Sequence, residues 1–336
     1  MHLSESCVTL TARSSLWLSR SITICIMQYY FLLSFTGGLM TYQEFKQYIM
    51  QHVARELGSS ATISIQDIVK NNNTHLDGLT VFRPGQNLSP TVYLNYYFNQ
   101  YQKGQPLSDV LSSILAIYQE TPSDSSIDIS FFTSYEKVRE RIVFKLINYE
   151  KNRELLSDVP HFRYLDLAIV FNCLIRTDQT GTATILIRHQ HLSLWNITDN
   201  DLYALAVLNT PKLLPYDLRN MSEVLLELLG TDAPLPDELQ GNEFPMYMLS
   251  NRARLNGSGC ILYQDLLQSF AEHLASDFYI LPSSIHEVLL IPASDNSSPE
   301  ELNAMVREVN ASQLTREEVL SDHVYFDSRE QKRLSM

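Results

Sequence analysis

Pro282-Ser283-Ser284-Ile285-His286-Glu287 brings hydroxyls, an imidazole and a carboxylate into one short stretch. A serine nucleophile needs a base within hydrogen-bond reach and an acid to orient that base. Ser284, His286 and Glu287 are therefore candidates for hydrolase- or transferase-like chemistry. Neighbouring strand residues point to opposite faces, so the same text also reads as a turn. There the hydroxyls bond their own backbone and His286 stands at a strand entrance. Asn256-Gly257-Ser258-Gly259 delivers Cys260 behind a flexible loop. A thiol becomes a nucleophile only where a cation or a helix N-terminus lowers its pKa. Ahead of Ile261-Leu262-Tyr263, the competing reading of Cys260 is a small buried hydrophobe. A Cys260–His286 pair across neighbouring strands is the second catalytic arrangement. His189 and His191, two positions apart and beside the same hairpin as Asp166, would share a strand face and could grip a metal. The spacing supplies no third ligand, so surface histidines are expected, and His161 reads the same way.

Other chemistries lack their signatures. The chain contains no Walker loop, no G-x-G-x-x-G, no G-x-S-x-G elbow, no H-E-x-x-H and no C-x-x-C. No cofactor and no metal is expected. Carboxylates number 38 against 25 Lys plus Arg, a formal charge of -13. That balance argues against a nucleic-acid binder, which needs a basic face to neutralise phosphates. The acid-rich stretches 222–245 and 276–323 scatter their carboxylates over helices and loops, without the alternation of a calcium loop. They read as solvated faces, with a basic partner surface as the functional alternative.

The elements that must position these residues follow from local signals. At 45% hydrophobic and 19% charged the chain is ordinary globular material. Thr41-x-x-Glu44 is a capping box, followed by the stripe Phe45, Tyr48, Ile49, Val53 and Leu57. Strands are expected over 62–69, 76–82 and 91–95, then helices from Tyr96 and from a Ser108 cap. Residues 40–121 thus read as a helix–meander–helix subdomain, closed by the linker 121–126. Over 164–176, Leu165, Leu167, Ile169, Phe171, Cys173 and Ile175 share one face. Asp166, Ala168, Val170, Asn172 and Leu174 share the other, so this strand belongs inside a sheet. Thr198 with Asp201 starts another helix, residues 231–245 read as a surface loop, and Cys260 to Tyr263 reads as extended. Ser298-Pro299-Glu300-Glu301 starts the last helix. Residues 127–320 form a C-terminal α+β domain, and 321–336 a charged tail. The expected class is α+β, with mixed, largely antiparallel sheets and flanking helices, in one large or two packed domains.

Residues 1–39 differ in kind. They hold Glu5, Arg13, Arg20 and a largely apolar run from Ile22 to Leu39. A signal peptide or a membrane anchor is one account. The expected account is a start at Met40, because a helix so well begun at Thr41 needs nothing ahead of it. That start leaves Cys173 and Cys260, suits a reducing cytoplasm and implies no membrane contact.

Tyr247-Met248-Leu249-Ser250-Asn251, Asn256-Gly257-Ser258-Gly259-Cys260 and Leu281-Pro282-Ser283-Ser284-Ile285-His286-Glu287-Val288 carry a family resemblance. With the start at Met40, the chain resembles a bacterial domain-of-unknown-function family (number 5688), from about Met40 to about Leu320. Residues 1–39 depart from the pattern, since members begin with a helix like Thr41 to Leu57. The resemblance implies a bacterial intracellular protein and carries over no activity, cofactor or catalytic residue. Two readings stand: a non-enzymatic module that binds a protein or small-molecule partner, and an enzyme using Ser284 or Cys260 with His286.

Overall fold

The computed structural model describes residues 40–58, 60–84, 89–120, 129–178, 181–229, 246–293 and 298–336. The leader 1–39, the linker 121–126 and the loop 231–245 lie outside the described residues. The chain divides into two compact units. The first runs up to Gln66 and from Asp77 to Ser126, and the second comprises Asp67–Leu76 and everything from Ile127.

The first unit opens with α1 (Tyr42–Leu57). Thr41 Oγ1 accepts the Glu44 N–H at 3.3 Å, and the Glu44 carboxylate accepts the Thr41 N–H at 2.8 Å. Phe45, Ile49 and Val53 repeat at helical spacing and are fully buried. Strands β1 (Thr62–Lys70), β2 (Thr74–Phe82) and β3 (Val92–Tyr93) form a sheet in that order, with β2 and β3 antiparallel. Helices α2 (Leu94–Gln102) and α3 (Leu107–Glu120) complete the core with Leu94, Val110, Ile114 and Tyr118. The extended run expected over 91–95 stops at Tyr93. Helix α2 takes over because Phe98 and Tyr101 pack their rings on Phe45, at 5.3 and 6.1 Å. Ser108 lies inside α3 rather than capping it, its hydroxyl donating to Asp109.

The second unit is built on two sheets. In one, β4 (Ile142–Asn148) pairs with one edge of β6 (Leu167–Asp178), while β5 (His161–Tyr164) and β7 (Gly181–Leu186) pair with β6 as well. Strand β6 is buried on both faces, as its two apolar rows require: Leu167, Ile169, Phe171 and Cys173 on one, Ala168, Val170 and Leu174 on the other. Leu165 adopts φ 56 and turns the chain between β5 and β6, so it leaves the strand face assigned to it.

Next come α4 (His189–Trp195) and α5 (Asp199–Leu213), the latter started by Thr198 and Asp201. The shared strand face of His189 and His191 is corrected here, because both lie on α4. Residues two apart on a helix point to different sides. His191 Nδ1 instead accepts the Arg188 N–H at 3.0 Å, satisfying a backbone donor at the helix start.

Strand β8 (Tyr216–Asn220), α6 (Met221–Leu229), β9 (Tyr247–Asn251), α7 (Leu266–Leu274), β10 (Phe278–Leu281), β11 (Val288–Pro292), α8 (Pro299–Ser312), β12 (Tyr325–Ser328) and β13 (Arg333–Ser335) complete the unit. Six of them form an antiparallel sheet ordered β13-β12-β10-β11-β9-β8. Two expectations change. Cys260 to Tyr263 is not extended: Gly257–Leu262 coils as a 3-10 helix behind Asn256, whose φ is 51. The stretch 321–336 is not a tail. Tyr325, Asp327 and Leu334 are buried, and charge counting hides that alternation. Phe144, Phe171, Leu249, Phe270, Phe278 and Tyr325 meet in one core. The architecture is α+β, with largely antiparallel sheets and flanking helices. Among the described residues no helix is long and apolar enough to cross a membrane.

Candidate functional site

Ser284, His286 and Glu287 lie in the turn joining β10 to β11, and Cys260 lies in the 3-10 helix after β9. Ser284 is buried. Its Oγ donates to Glu287 Oε1 at 2.7 Å and accepts the N–H groups of His286 at 2.9 Å and Glu287 at 3.3 Å. The Ser284 N–H donates to the Glu287 carbonyl at 3.0 Å. All the hydroxyl's bonding thus closes its own turn. His286 Nδ1 accepts the Asn256 N–H at 3.2 Å, and its carbonyl accepts Ser250 Oγ at 2.8 Å. Ser258 Oγ donates to the Ile285 carbonyl at 2.7 Å. The Cys260 thiol donates to the Ser250 carbonyl at 3.2 Å, and burial pushes its pKa up to about 12.

The structure thus joins Ser284 to Glu287. Among the described residues no hydrogen bond links the His286 ring to Ser284 Oγ or to Cys260 Sγ. A nucleophile activated by His286 would need one of those bonds. What the segment does instead is interlock two loops. A Cβ on Gly257 would lie 2.3 Å from Ser250 Oγ and 2.4 Å from the His286 carbonyl oxygen, so only glycine lets the loops close.

Of the remaining polar candidates, His161 and Asp166 have structural partners. His161 Nδ1 lies 3.0 Å from the Val159 carbonyl. Asp166 accepts the hydroxyls of Ser321 at 2.6 Å and Tyr325 at 2.8 Å. Among the described residues no group of three or more His, Cys, Asp or Glu side chains could hold a metal ion.

A site outside the sequence candidates lies elsewhere in the second unit. Strand β12 sits between β10 and β13, with Asp327 opposite Phe278 on one side and Leu334 on the other. Alternation turns Tyr325 and Asp327 inward, where apolar side chains belong. Asp327 is 6% exposed, yet among the described residues no hydrogen bond or ion pair reaches its carboxylate. It lines a cavity of about 520 Å³ with Tyr164 at the end of β5, Gln268 and Glu272 on α7, and Arg329 and Lys332 in the β12–β13 turn. Burial raises the Asp327 pKa above the ordinary carboxylate value, and the neighbouring Asp277 charge adds to that rise. Burial also raises the Tyr164 phenol, and the Asp327 charge pushes the same way. No hydrogen bond reaches the Tyr164 hydroxyl among the described residues either. An unpaired acid in an otherwise apolar Val324-Tyr325-Phe326-Asp327 run is the signal that sequence reading could have used.

A family model described as a family of unknown function matches residues 42–329, a span that takes in Cys260, Ser284, His286, Glu287 and Asp327. No curated protein and no solved structure matches the chain.

Proposed function

We propose, for a chain that belongs to the family of unknown function DUF5688, that its work is binding: it is a non-enzymatic module that takes a small polar ligand into the cavity around Asp327. One observation carries the reading. A carboxylate this deeply buried is costly unless paired, and Asp327 meets an open cavity of about 520 Å³ in place of a partner. That volume lies in the ordinary range of small-molecule sites, which combine a largely formed cleft with a few convergent polar groups. The hydrolase- or transferase-like alternative has less support. Ser284 is committed to Glu287, and Cys260 is held protonated by burial. Free, buried Cys173 and Cys260 favour a reducing cytoplasm as the compartment.

The test is thermal denaturation of the full chain with amino acids, polyamines, sugars and nucleosides. A ligand that binds only the folded state raises the melting temperature. At least one class should do so for the wild type and fail to do so for Asp327→Asn. Binding by none of the four classes, or ester hydrolysis lost in Ser284→Ala or Cys260→Ala, would refute the reading.

A further inference from the structure

Resting on that binding reading, we propose that the cavity takes a zwitterion of the amino-acid class, with its ammonium on Asp327 and its anionic end on Arg329 and Lys332. The one buried charge in the lining is Asp327. The rim is exposed and mixed in sign, with the acids Asp265 and Glu272 beside two cations, and the Tyr164 phenol is neutral. The cavity's two cations, Arg329 and Lys332, are exposed and both lie in the turn between β12 and β13. Among the described residues neither makes an ion pair. The Arg329 guanidinium has a single long contact, to the Ala275 carbonyl at 3.4 Å.

Long, flexible cations beside an unpaired carboxylate would pair with it if they reached it, and no pair within 4.0 Å forms. Asp327 is thus unpaired with the protein's own cations while lining the cavity. An ammonium entering there meets a desolvated carboxylate, where an ion pair is stronger than in water. A ligand carrying only an anion would be drawn to the outer cations and repelled further in by Asp327. A ligand with both charges satisfies both ends, and the sequence of charges fixes its direction of entry. A bare metal ion does not fit, because the acids here are not grouped as metal ligands.

Isothermal titration of the full chain tests this with a graded series of ω-amino acids, the matching alkylamines and the matching alkyl carboxylates. One amino acid in the series should bind more tightly than both its amine and its acid. Asp327→Asn should weaken the amino acid and the amine by roughly tenfold, the scale of one charge-assisted hydrogen bond, and leave the acid unchanged. The double variant Arg329→Ala/Lys332→Ala changes only exposed side chains. It should reduce the amino acid to the level of the amine. If Asp327→Asn alters no affinity, both readings fail; if carboxylates bind as well as amino acids, the zwitterion assignment fails while the binding reading stands. The same holds if only sugars or nucleosides bind. If no compound of either panel binds, both fail.

Discussion

Replacing Asp327 by Asn should make the protein more stable while weakening what the cavity binds. The residue is buried and no protein donor reaches its carboxylate, whose oxygens keep access only through the cavity, so the penalty lies at the low end of the range for an unsatisfied group. Leaving such a group unsatisfied costs about 1–3 kcal/mol, more when it is charged. Asparagine keeps the size and removes the charge, though its amide still wants partners, so the net gain is about 1 kcal/mol. For a unit of this size that corresponds to a rise of roughly 2–4 °C in melting temperature. The pH dependence is the sharper test. The Asp327 carboxyl has its pKa raised by burial and then by Asp277, so the native state holds a proton more readily than the unfolded chain. The penalty is therefore present above the folded pKa and relieved as pH falls through it. The stability gap between variant and wild type should narrow as pH falls through the raised folded value towards the ordinary carboxylate value of 3.8. Both proteins lose stability in acid for other reasons. Glu318 and Asp322 are held low by hydrogen bonds from Thr315 and from Lys151 and Asn310, and protonation forfeits those bonds. The difference between the two proteins is accordingly the quantity to measure, by circular dichroism melts across pH. An Asn variant less stable than wild type near neutrality, or a gap indifferent to pH, would refute the account of an unpaired buried carboxylate.

Other perturbations test the rest of the reading. Gly257→Ala places a methyl 2.4 Å from a backbone carbonyl, which cannot swing aside as a side chain can, so urea denaturation should show a loss of about 3 kcal/mol. Lys145 has its pKa pushed down to about 8, chiefly by burial and further by Lys70. Its native state sheds a proton early, so stability rises as pH climbs from about 8 towards the ordinary lysine value. Lys145→Met should stabilise the protein near neutrality by roughly 2 kcal/mol and erase that alkaline gain. Burial pushes the Cys173 thiol up to about 11 and the Cys260 thiol up to about 12. Peptide mapping after iodoacetamide treatment near neutrality should find both unmodified until denaturant is added; rapid native labelling of Cys260 would revive its candidacy as a nucleophile.

Local chemistry explains which elements are legible in the chain. Thr41 with Glu44 and Thr198 with Asp201 start α1 and α5 through bonds spanning three residues, so the text contains both donor and acceptor. Strand β6 announces that it is covered on both faces because both of its alternating rows are apolar, a pattern the edge strand β4 shares. Where distant packing decides, the text is silent. Helix α2 begins early because of rings on α1, and the coil of Gly257–Leu262 depends on a loop near residue 286. Asn72 is fully buried at φ 57 and reads as a turn residue. Its N–H donates to Asn152 at 2.8 Å, and its amide donates to the Arg316 and Val319 carbonyls at 2.8 and 2.6 Å. Nothing near Asn72 in sequence foretells those partners.

The same distinction separates the two candidate sites. The serines, histidine and cysteine of residues 250–287 are conspicuous because reactive residue types lie close together in the chain. Closeness in sequence is also what lets such groups satisfy one another: Ser284 reaches Glu287 three residues on, and Ser250, Ser258 and His286 bond across one loop crossing. A hydroxyl so satisfied stabilises a turn and has no proton to spare for chemistry. Asp327 has the reverse character. Its cavity draws on β5, α7 and the β12–β13 turn, with β5 more than a hundred residues from the other two in the chain. Counted locally, it is one acid among many in a polar C-terminus. Its burial exists only once β12 has paired with β10 and β13, and its lack of a partner only once the surrounding elements have closed without supplying a cation. A binding group must keep its hydrogen-bonding capacity unspent in the folded chain, and that property belongs to long-range assembly rather than to any motif.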